Sequence, residues 1–170
     1  MFSKKPRDIL KDLNLFFPLK GVGHPEFYLG DDVEVSKDNN GHFHYVQSAK
    51  IYIKNVCDKI ETLYETTLRN YGSPLPDGYH PEIDTSPLLV GDEVSKYRML
   101  IGSLHWVITL GRFDVHYAAS TMLRYQPAPR EGHLEKVLQI FGYLKQHRKH
   151  KIVFNDDYPE VPVGDEVELN

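Results

Sequence analysis

Residues 26–46 read EFYLGDDVEVSKDNNGHFHYV, and this stretch decides the fold class. Glu26 to Val35 reads as a strand and His42 to Val46 as its partner. Between them lies Asp38-Asn39-Asn40-Gly41, strong hairpin chemistry because Asn and Gly accept positive φ. On the N-terminal side, Gly21, Gly23 and Pro25 mark a turn. Before it, Ser3 can cap a short helix that tolerates Pro6 in its first turn and ends before Phe16-Phe17-Pro18. Ile9, Leu10 and Leu13 give that helix one apolar side.

On the C-terminal side the period changes from two to about 3.6. Ala49, Ile53, Val56, Ile60, Leu63 and Tyr64 recur at helical spacing and predict a helix over about 48–64 with one buried stripe. Cys57 falls on its apolar side and reads as a small buried side chain. Residues 71–91 are rich in Pro and Gly and read as a long irregular connection. Two helical stretches flank Gly111. One lines up Tyr97, Leu100, Ile101, Leu104 and Ile108, the other Phe113, Tyr117, Thr121 and Tyr125. Trp106 reads as core or interface. Pro127 and Pro129 stop the second stretch. A last helix over about 130–146 buries Leu134, Val137, Leu138, Phe141 and Leu144, and Ile152-Val153-Phe154 reads as a short strand. The class is therefore α+β: a hairpin, then mostly helices.

The 170 residues carry 41% hydrophobic and 26% charged residues, which are globular values. No apolar run approaches the roughly 20 residues of a membrane span, and the opening residues have no signal-peptide core. One cysteine permits neither an internal disulfide nor a cysteine-based zinc site. The net charge is -4, but residues 152–170 hold six acids and no Lys or Arg, and without them the balance is +2. Residues 130–151 hold six bases against Glu131 and Glu135. A mildly basic body thus carries an acidic end.

Asp31-Asp32 invites a two-metal reading, but adjacent strand residues point to opposite faces. A solvated acid pair at a strand edge is the plainer expectation. His42 and His44 share a strand face, and His24 or Asp32 could complete a metal set, yet no helical HExxH motif is present. His147-Arg148-Lys149-His150 reads as a solvated helix exit, where the macrodipole favours cations. No nucleophile elbow or phosphate-loop frame occurs.

Several strings line up in order with one family. Lys20-Gly21-Val22-Gly23-His24-Pro25-Glu26-Phe27-Tyr28-Leu29-Gly30 resembles a KGxGxPxxYLG segment of copia-type LTR-retrotransposon reverse transcriptases. Residues 48–54 (SAKIYIK), 97–104 (YRMLIGSL) and 109–115 (TLGRFDV) resemble further segments, as do 129–134 (PREGHL) with 142–145 (GYLK). The resemblance spans about residues 2–155. It implies the end of the palm with a primer-grip-like hairpin over 1–47, thumb-like helices over 48–126, the start of the connection over 127–155 and an acidic tail over 156–170. Tyr28, Leu29 and Gly30 take the place of the primer grip. Lys50, Lys54, Arg98, Arg124, Lys145, Arg148 and Lys149 are the candidates for phosphate contacts.

The family's metal-binding YxDD box is missing from these residues, and Asp31-Asp32 is not that box, since it follows the YLG string. The resemblance therefore implies a truncated RNA-directed DNA polymerase that grips primer–template but lacks its catalytic carboxylates. No cofactor is expected in this chain, and Mg²⁺ belongs to the intact polymerase. The expected partners are a weakly held RNA or DNA primer–template duplex and the remainder of the polyprotein, with no membrane. The expected location is intracellular, cytoplasmic or nuclear. Two other readings stay open: a domesticated protein-interaction module using the helices from Val94 to Gln146, and a small metal-dependent hydrolase using Asp31, Asp32, His42 and His44.

Overall fold

The 26–46 stretch folds as two consecutive hairpins. In the computed structural model, which describes residues 6–18, 26–39 and 41–154, the expected strand from Glu26 to Val35 is broken. Leu29 and Gly30 both take positive φ, 53° and 98°, and reverse the chain. β1 (Phe27–Tyr28) therefore pairs antiparallel with β2 (Asp31–Lys37), Tyr28 opposite Asp31. Two successive residues at positive φ match the handedness of a tight two-residue hairpin. Leucine gives no hint of this, since an L side chain rarely adopts that region.

The second hairpin follows expectation. Asp38 N–H donates to the His42 carbonyl, Gly41 N–H donates back to Asp38, and Gly41 holds φ 91°. Asn40 lies outside the described residues. β3 (Phe43–Ser48) then pairs with β2, Val35 opposite Tyr45. The expected strand at 152–154 forms β4 (Ile152–Phe154) and closes on β3, Tyr45 opposite Phe154. The sheet is antiparallel in the order β1-β2-β3-β4.

Four helices supply the core: α2 (Lys50–Leu63), α3 (Asp92–Thr109), α4 (His116–Leu123) and α5 (Glu131–Gln146). An N-terminal helix over Pro6–Phe16 also forms, with Ile9, Leu10 and Leu13 exposed; its expected cap, Ser3, lies outside the described residues. One buried cluster joins Ile53, Cys57 and Ile60 of α2, Tyr97, Leu100, Ile101 and Leu104 of α3, Met122 of α4, and Ile140, Phe141 and Leu144 of α5. Cys57 is buried as expected, whereas Leu63, expected in the same stripe, is exposed. Tyr97 solves its polar end by donating its hydroxyl to the Met122 carbonyl, 2.7 Å away.

Residues 71–91 are irregular, as read, but pinned to α5. Leu89 N–H donates to the Pro129 carbonyl and Glu131 N–H to Pro87. His133, fully buried, accepts from Arg130 N–H through Nδ1 and meets the Pro81 carbonyl through Nε2 at 3.0 Å. That pairing fixes the neutral tautomer with its proton on Nε2.

Cys57 lies against the Phe141 carbonyl, and burial pushes its thiol up to about 12. A thiol that cannot ionise is a poor nucleophile. Ellman's reagent at pH 8 should find no reactive thiol in the native protein and one after denaturation. Fast native reaction would show that α2 does not pack as described.

Candidate nucleic-acid interface

The Tyr28-Leu29-Gly30 turn projects from the sheet, with Leu29 62% exposed. Gly30 sits beside Trp106 of α3, whose ring is itself partly exposed. A Cβ at Gly30 would lie 3.7 Å from the indole nitrogen.

Behind the turn, Asp31 and Asp32 are not the solvated pair that their charge suggests. Both are buried, Asp31 completely. The Gln47 side-chain amide donates to Asp31, while the other Asp31 carboxylate oxygen has no partner. Burial raises the Asp31 pKa; the Gln47 hydrogen bond opposes that, and neighbouring Asp32 adds to it. Asp32 does structural work, accepting from Ile51 N–H at 3.3 Å in the first turn of α2. The helix has no side-chain cap of its own at Ala49, so a carboxylate from the sheet serves an orphan donor.

His42 and His44 do share a neighbour, but it is Asp38, at 3.5 and 3.4 Å. Among the described residues no group of three or more His, Cys, Asp or Glu side chains is placed to hold a metal ion. His24 lies outside them.

The candidate cations are not gathered on one face. Lys50 and Lys54 sit one turn apart on α2, Lys50 3.8 Å from Glu34 and Lys54 2.7 Å from Asp58. Lys145 is half-buried and paired with Glu61 at 2.6 Å, a contact that holds the Glu61 carboxyl below its usual range. Arg98 is exposed on the outer side of α3, and Arg124, which caps α4, is exposed within electrostatic reach of Glu82. Glu82 neighbours the first turn of α5 through Pro81 and His133, whereas Arg148 and Lys149 lie beyond its last turn. A 16-residue helix, about 24 Å long, separates them.

Where α3 ends, the chain builds an unexpected feature. Gly111, at φ 93°, lets Ile152 of β4 pack where a Cβ would stand. Arg112 then turns inward and is almost fully buried. Its Nε and Nη2 hold both oxygens of Asp114, at 2.9 and 2.7 Å, and Nη1 donates to the His147 carbonyl at 3.1 Å. Tyr143 donates its hydroxyl to the same carboxylate at 2.9 Å. Burial disfavours the Asp114 charge, yet the Arg112 and Tyr143 contacts outweigh it and hold the carboxyl below the usual range.

Phe113 and Tyr117, expected inside, are 67% and 78% exposed. The core side of α4 is instead Ala118, Ala119 and Met122, following Val115 of a short 3₁₀ turn over Phe113–Val115. That set also repeats at three and four residues, so periodicity permits either stripe. Phe113 opens onto a cleft of about 510 Å³ bounded on its other side by residues 149–152.

Among the described residues no helix is long and apolar enough to cross a membrane. No known family profile and no solved structure matches the chain. One curated protein of Saccharomyces cerevisiae does, the "Putative transposon Ty5-1 protein YCL074W", at 25% identity over 136 residues. The match covers 80% of this chain and 41% of that protein. The chain thus spans about two-fifths of its relative, and in sequence it is related to a transposon protein.

Proposed function

We propose that this chain is the primer-gripping part of a copia-type retrotransposon reverse transcriptase, without that enzyme's catalytic box. The observation that carries the reading is the Tyr28-Leu29-Gly30 turn: an exposed tip, tight enough to bring backbone close to a ligand, mounted on a helical core. The ordered likeness to the family's strings and the similarity to a transposon protein support it. In this reading residues 1–47 end the palm, 48–126 form a thumb-like lobe with its irregular connection at 71–91, 127–155 begin the connection and 156–170 are an acidic tail. The partners are a primer–template duplex and the rest of the polyprotein. The Mg²⁺-dependent step, attack of the primer 3′-OH on a nucleotide, belongs to the intact polymerase.

Because Lys50, Lys54 and Lys145 already have acidic partners, the charge left for a duplex is small. Binding should be weak, independent of sequence and steep in salt. A few phosphate contacts give a loss on the order of a hundredfold between 50 and 200 mM salt. Anisotropy with a labelled primer–template measures this. Deleting residues 159–170 should tighten binding at low salt, since the tail's acids compete for the same bases. The same duplex with nucleotides and Mg²⁺ should show no extension. Salt-insensitive binding, or none at 50 mM, would reject the reading in favour of an interaction module.

A further inference from the structure

The cleft beside Phe113 combines features that the gripping hairpin does not use. One wall is an aromatic ring, Phe113, held out into solvent. The opposite wall contributes Lys149, His150 and Lys151, with Lys149 and Lys151 exposed and without an ion pair among the described residues. From His147 to Phe154 the chain contains no acid. The acid that lines the cleft, Asp114, is held by both arms of Arg112 and by Tyr143, and it lies 3.9 Å from His150. The floor, Gly111 with Leu110 and Ile152, is apolar. The Gln47 amide at the edge is already committed to Asp31.

Phe113 stays exposed while Val115 of the same 3₁₀ turn and Ala118, Ala119 and Met122 of α4 fill the core. A solvent-facing ring in one cleft with two lysines that have no ion pair among the described residues has the two parts of a single-strand site: a surface for a base and cations for the backbone. Along a duplex, away from its two ends, no base face is free, so the ring would have nothing to stack on there.

We propose that this cleft binds a single-stranded nucleic acid, with one base stacked on Phe113 and the flanking phosphates held by Lys149 and Lys151. The proposal shares with the reading above the premise that the chain contacts nucleic acid, but it does not depend on the hairpin. Arg112 and Asp114 shape the cleft and stay paired to each other; they are positioning residues.

Anisotropy at 50 mM salt with labelled dT12, set against a blunt 12-bp duplex, separates the two. Phe113→Ala should weaken dT12 binding roughly fivefold to a hundredfold, the range of one lost stacked base. Blunt-duplex binding should change less than twofold. Phe113→Trp should keep dT12 affinity. Lys149→Ala with Lys151→Ala should weaken dT12 and flatten its salt dependence. Since all three side chains are exposed, the melting temperature should not move. No dT12 binding at 50 mM, or dT12 binding indifferent to Phe113→Ala, overturns the proposal. So does an equal loss on both ligands, which would mark the cleft as a general polyanion patch and leave the duplex reading standing.

Discussion

Replacing Arg112 by alanine is expected to destabilise the protein by on the order of 3 kcal/mol, lowering Tm by about 10 °C. Arg112 is buried with its guanidinium spread over Asp114 and the His147 carbonyl. Removing it empties a buried site, leaves the His147 carbonyl without its Arg112 donor and the partly exposed Asp114 carboxylate with Tyr143, and frees the end of α5. Breaking one side of such a pair is costly because the other charge stays behind. The loss should depend on pH with a definite sign. Asp114 titrates below its ordinary value in the folded protein, so its pairing stabilises above about 3.9, the unfolded value, and fades as pH falls through the folded one. The gap between wild type and Arg112→Ala should therefore narrow in acid. Denaturation at pH 7 and again at pH 3 measures it. Adding Asp114→Asn to the alanine variant should recover part of the loss at pH 7. An alanine variant melting within 2 °C of wild type would mean that the pair contributes nothing.

Gly142→Ala should be about as damaging, for a steric reason. A Cβ at Gly142, in the middle of α5, would land on the Arg69 carbonyl oxygen and lie 2.8 Å from the Tyr71 ring. Main chain cannot swing aside as a side-chain tip can. The expected cost is about 3 kcal/mol, the upper end for overpacking, although alanine is the better helix former. Gly132→Ala offers a milder comparison, since its Cβ would meet the Asp84 carboxylate, which can rotate. Limited proteolysis gives a second readout. With Pro81, Leu89 and Arg69 all held against α5 or its flank, residues 71–91 should resist cleavage in the wild type. In Gly142→Ala they should become the first site cut. Equal Tm for the two glycine variants would argue against the close approach.

These expectations divide along the line between what was legible in the sequence and what was not. The second hairpin was legible because Asp38, Asn39 and Gly41 impose local geometry wherever they occur. The helices α2, α3 and α5 were legible because each carries one dominant apolar stripe. The first hairpin was hidden from the residue pattern because Leu29 takes a conformation its side chain disfavours; only the family resemblance at Tyr28-Leu29-Gly30 pointed to a hairpin there. The site suffered more. Asp31 reads as a surface acid until Gln47, sixteen residues on, is seen to cover it. Arg112 and Asp114 are two residues apart, yet what fixes them is Tyr143 and the His147 carbonyl, both far along the chain. Phe113 and Tyr117 were misplaced because two stripes compete on α4 and aromatics look like the heavier claim on the core. The stripe of Val115, Ala118, Ala119 and Met122 is the one buried.

The pairing of β4 with β3 has a consequence for the order of assembly. Residues 43–48 leave the ribosome roughly a hundred residues ahead of their partner at 152–154. Until then β3 presents a bare hydrogen-bonding edge to solvent or to any neighbouring nascent chain. A ribosome that stalls, or a message that ends, anywhere before Ile152 releases a protein whose helices can all be present while one sheet edge is still looking for a strand.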